Sequence, residues 1–149
     1  MPPVIRRATV ADAPALAELE ERIFSGDRLS LRQFRYHARH PRNALVIVDA
    51  PGHPIAGYGL LFLPANRASG RIYSLCIHPE CRGQGLARLV CAELETLARG
   101  QGCTAIRLEV RADNCPAAAL YASLGYVTIR QLPGYYEDGG DGQRMEKAL

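Results

Sequence analysis

Apolar positions along this chain change their period several times, and each change predicts an element. "VIRRA" (Val4 to Ala8) predicts a short first strand. In "TVADAPALAELEERIF" the residues Leu16, Leu19 and Ile23 fall on one helical face. Thr9, followed three residues on by Asp12, resembles a capping box with Asp in place of Glu. "SGDR" interrupts that helix. A second helix starts at Ser30 with Gln33 as its reciprocal cap, and stops near Arg39 because the residue before Pro41 avoids helical geometry. "ALVIV" (Ala44 to Val48) and "IAGYGLLFL" (Ile55 to Leu63) flank the turn "DAPGHP" and predict an antiparallel hairpin. After the loop "PANRASG", a third strand of this run is "RIYSLCI" (Arg71 to Ile77).

The second half alternates helix and strand. Leu86, Leu89, Val90, Leu94 and Leu97 form one apolar stripe that Gly100 or Gly102 ends. "AIRLEV" (Ala105 to Val110) alternates strictly, as a strand with one buried face does. Asn114 caps a helix, "CPAAALYASL", that stops at Gly125. "YVTIR" predicts a strand, "QLPGYYEDGGDG" a loop and "QRMEKAL" a last strand. The predicted order is β-α-α-β-β-β-α-β-α-β-β. Right-handed parallel crossovers in the second half and the hairpin before them make an α/β fold, a mixed central sheet with helices on both faces.

Composition narrows the picture only modestly. The 149 residues fit a single compact domain, residues 1–149, with a real core. A net charge of +3 is too mild to imply direct nucleic-acid binding. Five cysteines, with no C-x-x-C pair and no histidine at zinc-ligand spacing, read as reduced thiols and small apolar fillers, with no metal expected. The N-terminus carries no hydrophobic signal core and no run approaches membrane-spanning length, so a cytoplasmic protein with no membrane partner is expected.

"SLCIHPECRGQGLARLV" carries the chemistry. A strand ends, a basic turn follows with glycines at 83 and 85, and an amphipathic helix opens. Helix N-termini offer unpaired N–H groups and partial positive charge, glycine lets a ligand approach closely, and Arg82 adds a charge-assisted donor. A P-loop is absent, and Arg88 stands where a dinucleotide fingerprint needs its third glycine. Two readings remain: a coenzyme A diphosphate cradle of the form Gln/Arg-x-x-Gly-x-Gly/Ala, satisfied by Arg82, Gly85 and Ala87, or a glycine turn that binds nothing.

Together with "LEVRADNCPAAALYASLGY" and "GYYEDGGDGQRM", this segment resembles the GNAT superfamily of acetyl-CoA-dependent N-acetyltransferases over essentially the whole chain. Within it, the resemblance is to the RimI-type group, the ribosomal-protein-alanine N-acetyltransferases and their relatives. The resemblance implies that the donor's pantetheine arm pairs like an extra strand with the backbone of Leu75, Cys76 and Ile77. It places the diphosphate on the amides of Gly83, Gln84, Gly85, Leu86, Ala87 and Arg88. Strands 71–77 and 105–110 are then expected to splay apart, and the Ile77 N–H becomes the oxyanion donor. No metal is implied.

Acetyl transfer from a thioester to an amine needs an amine without its extra proton, a stabilised carbonyl oxygen and a protonated leaving thiolate. The family pattern points to Tyr121 as the acid, with Asn114 two helical turns earlier holding the donor arm; a core-lining tyrosine is the competing reading. It points to Glu109 in "RLEVR" as the base. Alternation puts Arg107 and Arg111 on the same face, which weakens a base, and a salt-bridged surface glutamate is the alternative. An α-amine, with an ordinary pKa near 8, asks less of such a base than lysine does.

Tyr135, Tyr136 and Glu137 open a loop that would offer aromatic faces and negative charge to an ammonium group, unless it merely faces water. Arg28, Arg32, Arg35, Arg39 and Arg42 recur at helical spacing, as a docking stripe for an acidic or ribosomal partner or as a solvated basic face. The reading that joins these features is direct acetyl transfer from acetyl-CoA to a protein or peptide α-amine in a ternary complex. The alternatives are a small-molecule or lysine acetyltransferase, and a non-catalytic acyl-CoA sensor.

Overall fold

A computed structural model describes residues 2–24, 26, 28–65 and 68–149. The turn expected at "SGDR" and the loop at "PANRASG" therefore lie partly outside the described residues. The strands are β1 (Ile5–Arg7), β2 (Ala44–Ala50), β3 (His53–Phe62), β4 (Ser69–Ile77), β5 (Ala105–Arg111), β6 (Val127–Leu132) and β7 (Gly142–Ala148). The helices are α1 (Ala13–Ile23), α2 (Leu31–Arg39), α3 (Leu86–Gly100) and α4 (Cys115–Ser123). No helix of the described residues is long and apolar enough to cross a membrane.

The local signals act where the sequence puts them. Ser30 Oγ accepts the Gln33 N–H at 3.1 Å while Gln33 Oε1 takes the Ser30 N–H at 2.8 Å, a complete capping box. Asp12 accepts the Thr9 N–H at 2.7 Å, but it opens a single 3-10 turn (Val10–Asp12) before α1 begins. Asn114 Oδ1 caps α4 by taking the Ala117 N–H at 3.3 Å. Gly102 and Gly125, with φ of 85° and 98°, turn the chain out of α3 and α4.

All seven strands form one sheet in the order β1-β2-β3-β4-β5-β7-β6. The β2–β3 hairpin is antiparallel and β4 runs parallel to β5, so the sheet is mixed as expected. One arrangement differs from a simple string of crossovers. The last strand, β7, inserts antiparallel between β5 and β6, so the strands joined through α4 are not neighbours. Seven β5–β7 residue pairs satisfy the β5 edge that β6 would otherwise have taken.

Two apolar clusters cover the two faces. Leu16, Leu19, Phe34, Leu45, Ile47, Tyr58, Leu60 and Cys76 pack beneath α1 and α2. Val46, Leu61, Ile77, Val90, Leu94, Ile106, Leu108, Val110 and Tyr121 pack against α3 and α4. Glycines at 57 and 59 permit the tight spacing: a Cβ on Gly59 would lie 2.5 Å from Val90 Cγ1, so α3 sits directly on β3.

Candidate active site

The sheet comes apart at one place. β4 and β5 pair only from Ser69 with Ala105 to Ile72 with Leu108, and beyond that point they separate. Residues 74–77 keep their pairing with β3, and residues 109–111 keep theirs with β7. The backbone polar groups between them are left facing a gap, and such groups need a partner. The register of β4 on β3 slips at Leu60–Leu61, a bulge that begins the separation and leaves Tyr73 as its extra residue.

The glycine turn stands at the mouth of this gap. Cys81, Arg82, Gly83, Gly85, Leu86, Ala87 and Arg88, with Ile77 of β4 and Leu120 of α4, line a cleft of about 310 Å³. Gly83 and Gly85 have φ of 80° and 76°, and a Cβ at either would meet nothing within 4 Å. These glycines are thus required by backbone conformation, while the space beside them stays open for a ligand. Gly85 is the N-cap of α3, so the amides of its first turn point into the cleft without helical partners. Arg82 Nε donates to the Ile77 carbonyl at 3.2 Å, tying the turn to the splayed strand. Arg88 Nη2 donates to Ser123 Oγ at 2.8 Å and ties α3 to α4 across the cleft. Gln84 is exposed at the rim.

Replacing Gly85 by Ala should keep the fold at a strain of about 1–2 kcal/mol while displacing these amides. The expected result is an acetyl-CoA KM raised about tenfold. An equal loss of acceptor affinity would contradict the assignment.

The two residues expected to handle protons lie on opposite faces of the sheet. Tyr121 belongs to the α3–α4 side, where its ring meets Tyr126 edge-on at 5.8 Å between centroids. Burial pushes its phenol well above the ordinary value, so it keeps its proton at any physiological pH. Among the described residues its hydroxyl has no hydrogen-bond partner, and no side-chain polar atom is buried without one, so the hydroxyl opens on solvent space. Asn114 spends its side-chain oxygen on the α4 cap and has only its amide N–H groups to offer a ligand.

Glu109 faces the other way, and its neighbours differ from those the sequence suggested. Arg107 pairs with Glu146 at 2.7 Å and Arg111 with Asp138 at 3.1 Å. Glu109 is held instead by Arg71 of β4, at 2.7 Å from Oε1, and by Arg144 of β7, at 3.0 Å from Oε2. Its side chain is only 7% exposed. Both oxygens therefore carry a guanidinium partner, contributed by strands whose adjacency to β5 the sequence does not reveal.

The loop expected to meet the acceptor folds back onto β5. Arg111 lies over the Tyr136 ring at 4.3 Å, so that face is already covered by a cation, while Tyr135 and Glu137 remain exposed. Arg28, Arg32, Arg35, Arg39 and Arg42 are all exposed, and Arg42 also donates from Nε to the Leu63 carbonyl at 3.1 Å.

Four of the five cysteines are buried as expected, and burial raises the Cys76 and Cys91 thiols to about 12. Cys115 is exposed, which corrects its reading as a filler: it occupies the first turn of α4, off the core. His78 is buried, caps the turn at 79–81 through the Glu80 N–H, and brings Cys81 and His53 within 4.8 Å of each other's donor atoms. Sequence spacing did not anticipate that grouping. Both His78 nitrogens are engaged, however, Nδ1 by Glu80 and Nε2 at 3.1 Å from Arg22, whose charge sits where a cation would be bound.

A family model described as Acetyltransferase (GNAT) family matches residues 13–126, from the start of α1 to the end of the α4 turn. The chain belongs to the GNAT acetyltransferase family. It is 31% identical to the N-alpha-acetyltransferase RimI of Mycobacterium tuberculosis over 98% of this chain and 92% of that one. It is 26% identical to a putative ribosomal protein bS18-alanine N-acetyltransferase of Bacillus subtilis over 92% of this chain and 89% of that one. Among solved structures, its fold is similar to Ard1 from Thermoplasma volcanium, with a TM-score of 0.88 at 21% identity, covering 100% of this chain and 99% of that one. The Escherichia coli ribosomal-protein-S18-alanine N-acetyltransferase superposes with a TM-score of 0.85 at 24% identity over 99% of this chain and 94% of that one. As a GNAT member the chain is an acetyl-CoA-dependent acetyltransferase, and the splayed backbone, open glycine turn and adjoining cleft fit that donor.

Proposed function

We propose that this enzyme acetylates the α-amine of a protein or peptide by direct transfer in a ternary complex. The observation that carries the reading is the gap between residues 73–77 and 109–111, which opens to the glycine cleft on one face of the sheet and to Glu109 on the other. Similarity to relatives named as α-amine and ribosomal-protein-alanine acetyltransferases supports this acceptor class. The donor brings the activated acetyl group as a thioester. Leu75, Cys76 and Ile77 offer backbone groups to the donor arm, and Gly83 to Arg88 offer amides to its diphosphate. The Ile77 N–H stabilises charge on the carbonyl oxygen, and Tyr121 holds the proton destined for the leaving sulfur. Glu109 reaches the amine through water, using lone pairs its two arginines leave free. Tyr135, Tyr136 and Glu137 border the acceptor.

The test is incubation with isotope-labelled acetyl-CoA and a panel of peptides with free or blocked α-amines, lysine-bearing peptides and small amines, read by mass spectrometry. Label on free α-amines is expected. Label confined to lysine side chains or small amines would move the acceptor class, and tight donor binding without turnover on any amine would favour a sensor. In the same assay Tyr136→Ala should raise the acceptor KM about tenfold with acetyl-CoA affinity kept. Equal loss of both would remove the loop from the acceptor site.

A further inference from the structure

A buried carboxylate crosses the core without a role in the scheme above. Glu20, on the inner face of α1, is 2% exposed. One of its oxygens accepts the Leu29 N–H at 2.8 Å, and the other accepts the Tyr58 hydroxyl of β3. The Tyr58 oxygen lies 2.7 Å from Ser74 Oγ on β4. Ser74 is half-buried and lies two residues past the last β4–β5 pair, in the splayed half of β4.

The direction of every hydrogen bond in this chain is forced. An ionised carboxylate only accepts, so Tyr58 spends its proton on Glu20. The Tyr58 oxygen must then receive its second bond from the Ser74 hydroxyl. The Ser74 oxygen is left with acceptor capacity and no donor among the described residues. Ser74 shares a face of β4 with Cys76, the face of α1 and α2, as Glu109 shares the corresponding face of β5. The outer end of the chain is thus a free acceptor at the gap.

We propose that Ser74, Tyr58 and Glu20 form a proton relay that carries the proton from the acceptor ammonium into the core; it rests on the amine-acetyltransferase reading. The acceptor R–NH3+ gives one proton to Ser74 Oγ, the Ser74 proton passes to the Tyr58 oxygen, and the Tyr58 proton passes to Glu20. This leaves a neutral amine with its lone pair for the carbonyl carbon, and Glu20 neutral. No oxidant or other reactant is needed, and the proton returns to water by the same path after product leaves. Ser74 is the catalytic residue, and Tyr58 and Glu20 act through it. Glu109 orders the water beside the amine in this scheme but does not keep the proton, because neutralising it would strand Arg71 and Arg144 against an uncharged group; the proton comes to rest on Glu20.

The electrostatic setting suits the relay. Burial raises the Glu20 carboxyl above its ordinary value, partly opposed by its bonds to Tyr58 and Leu29 and by the charge of Arg28. Tyr58 is raised by burial and by Glu20, so it passes protons without existing as a free phenolate. Cys76, the remaining titratable group beside Glu20, is itself raised to about 12 and stays neutral.

Ser74→Ala is the decisive variant, because it leaves the Glu20 bonds to Leu29 and Tyr58 intact and so spares any structural role of Glu20. We expect kcat to fall about 100-fold with both KM values nearly unchanged, and Ser74→Thr to restore most of it. The relay works only with Glu20 ionised, so wild-type kcat rises with pH through the raised Glu20 range and then levels. In Ser74→Ala that limb should move up to the range of the acceptor amine, near pH 8. Wild-type kcat and pH profile in Ser74→Ala would overturn the relay. If only small amines or lysines are acetylated, the α-amine reading fails while the relay is scored on those acceptors. A readout independent of turnover is the infrared carboxyl stretch assigned by difference from Glu20→Gln. It should persist to higher pH than that of exposed glutamates, and a carboxyl titrating with the exposed ones would equally overturn the relay.

Discussion

Replacing Tyr121 by Phe should lower kcat by about 10²- to 10⁴-fold, the usual contribution of a positioned general acid, with acetyl-CoA affinity and stability nearly intact. The ring supplies packing against Tyr126 and the α3 face, and Phe keeps all of it. The hydroxyl has no protein partner among the described residues, so its removal strands no buried donor or acceptor. In the proposed scheme, what Phe removes is the proton destined for the leaving sulfur. The sign of the pH dependence follows from burial. A raised phenol stays protonated through the ordinary tyrosine value of 10, so the acid form is available across the whole neutral range and activity should not decline until well beyond pH 10. Steady-state kinetics of Tyr121→Phe with calorimetric titration of acetyl-CoA checks both halves. A kcat within about twofold of wild type would leave Tyr121 as a core tyrosine only.

Residues whose meaning is local were legible in the sequence. Ser30 and Gln33, Asn114, and the alternation of Ile106, Leu108 and Val110 act through neighbours a few positions away, and the structure uses each of them. The glycine turn was legible for the same reason: positive φ at 83 and 85 is a property of the turn itself. Glu109 shows where that kind of reading stops. Its face followed from alternation, but its partners depend on which strands flank β5, and β7 reaches that position only by inserting between β5 and β6. Arg71 and Arg144 therefore replaced the expected Arg107 and Arg111.

Glu20 left a signal that went unused. It is four residues beyond Leu16 and adjoins Leu19, so it interrupts the apolar stripe of α1 with a charge. A carboxylate on a core-facing helix position needs a buried donor, and "IAGYGLLFL" holds a tyrosine in an otherwise apolar central strand. Their meeting was not readable, because it depends on how α1 crosses β3.

Glu95→Ala should be strongly destabilising, costing about 2–4 kcal/mol. Glu95 is 6% exposed on α3 and is held by two residues beyond its own helix. Lys147 of β7 donates to Oε1 at 2.9 Å, and the Tyr126 hydroxyl donates to Oε2 at 3.1 Å. Arg99, at 4.0 Å and half exposed, adds little. Truncation to Ala leaves the 2%-exposed Tyr126 without an acceptor and Lys147 without its counter-charge, two penalties from one deletion. At about 2–4 °C per kcal/mol for a chain of this size, the melting temperature should fall by roughly 10 °C. Glu95→Gln keeps an acceptor oxygen and should cost about half as much, whereas Glu21→Ala, on the exposed face of α1, should cost almost nothing. Because Tyr126 packs on Tyr121, the loss should also reduce kcat, and cooling should recover that reduction where it does not rescue Tyr121→Phe. A melting temperature for Glu95→Ala no lower than that of Glu21→Ala would show that the Glu95 cluster does not fasten α3 to β7 and to Tyr126, the residue on which Tyr121 packs.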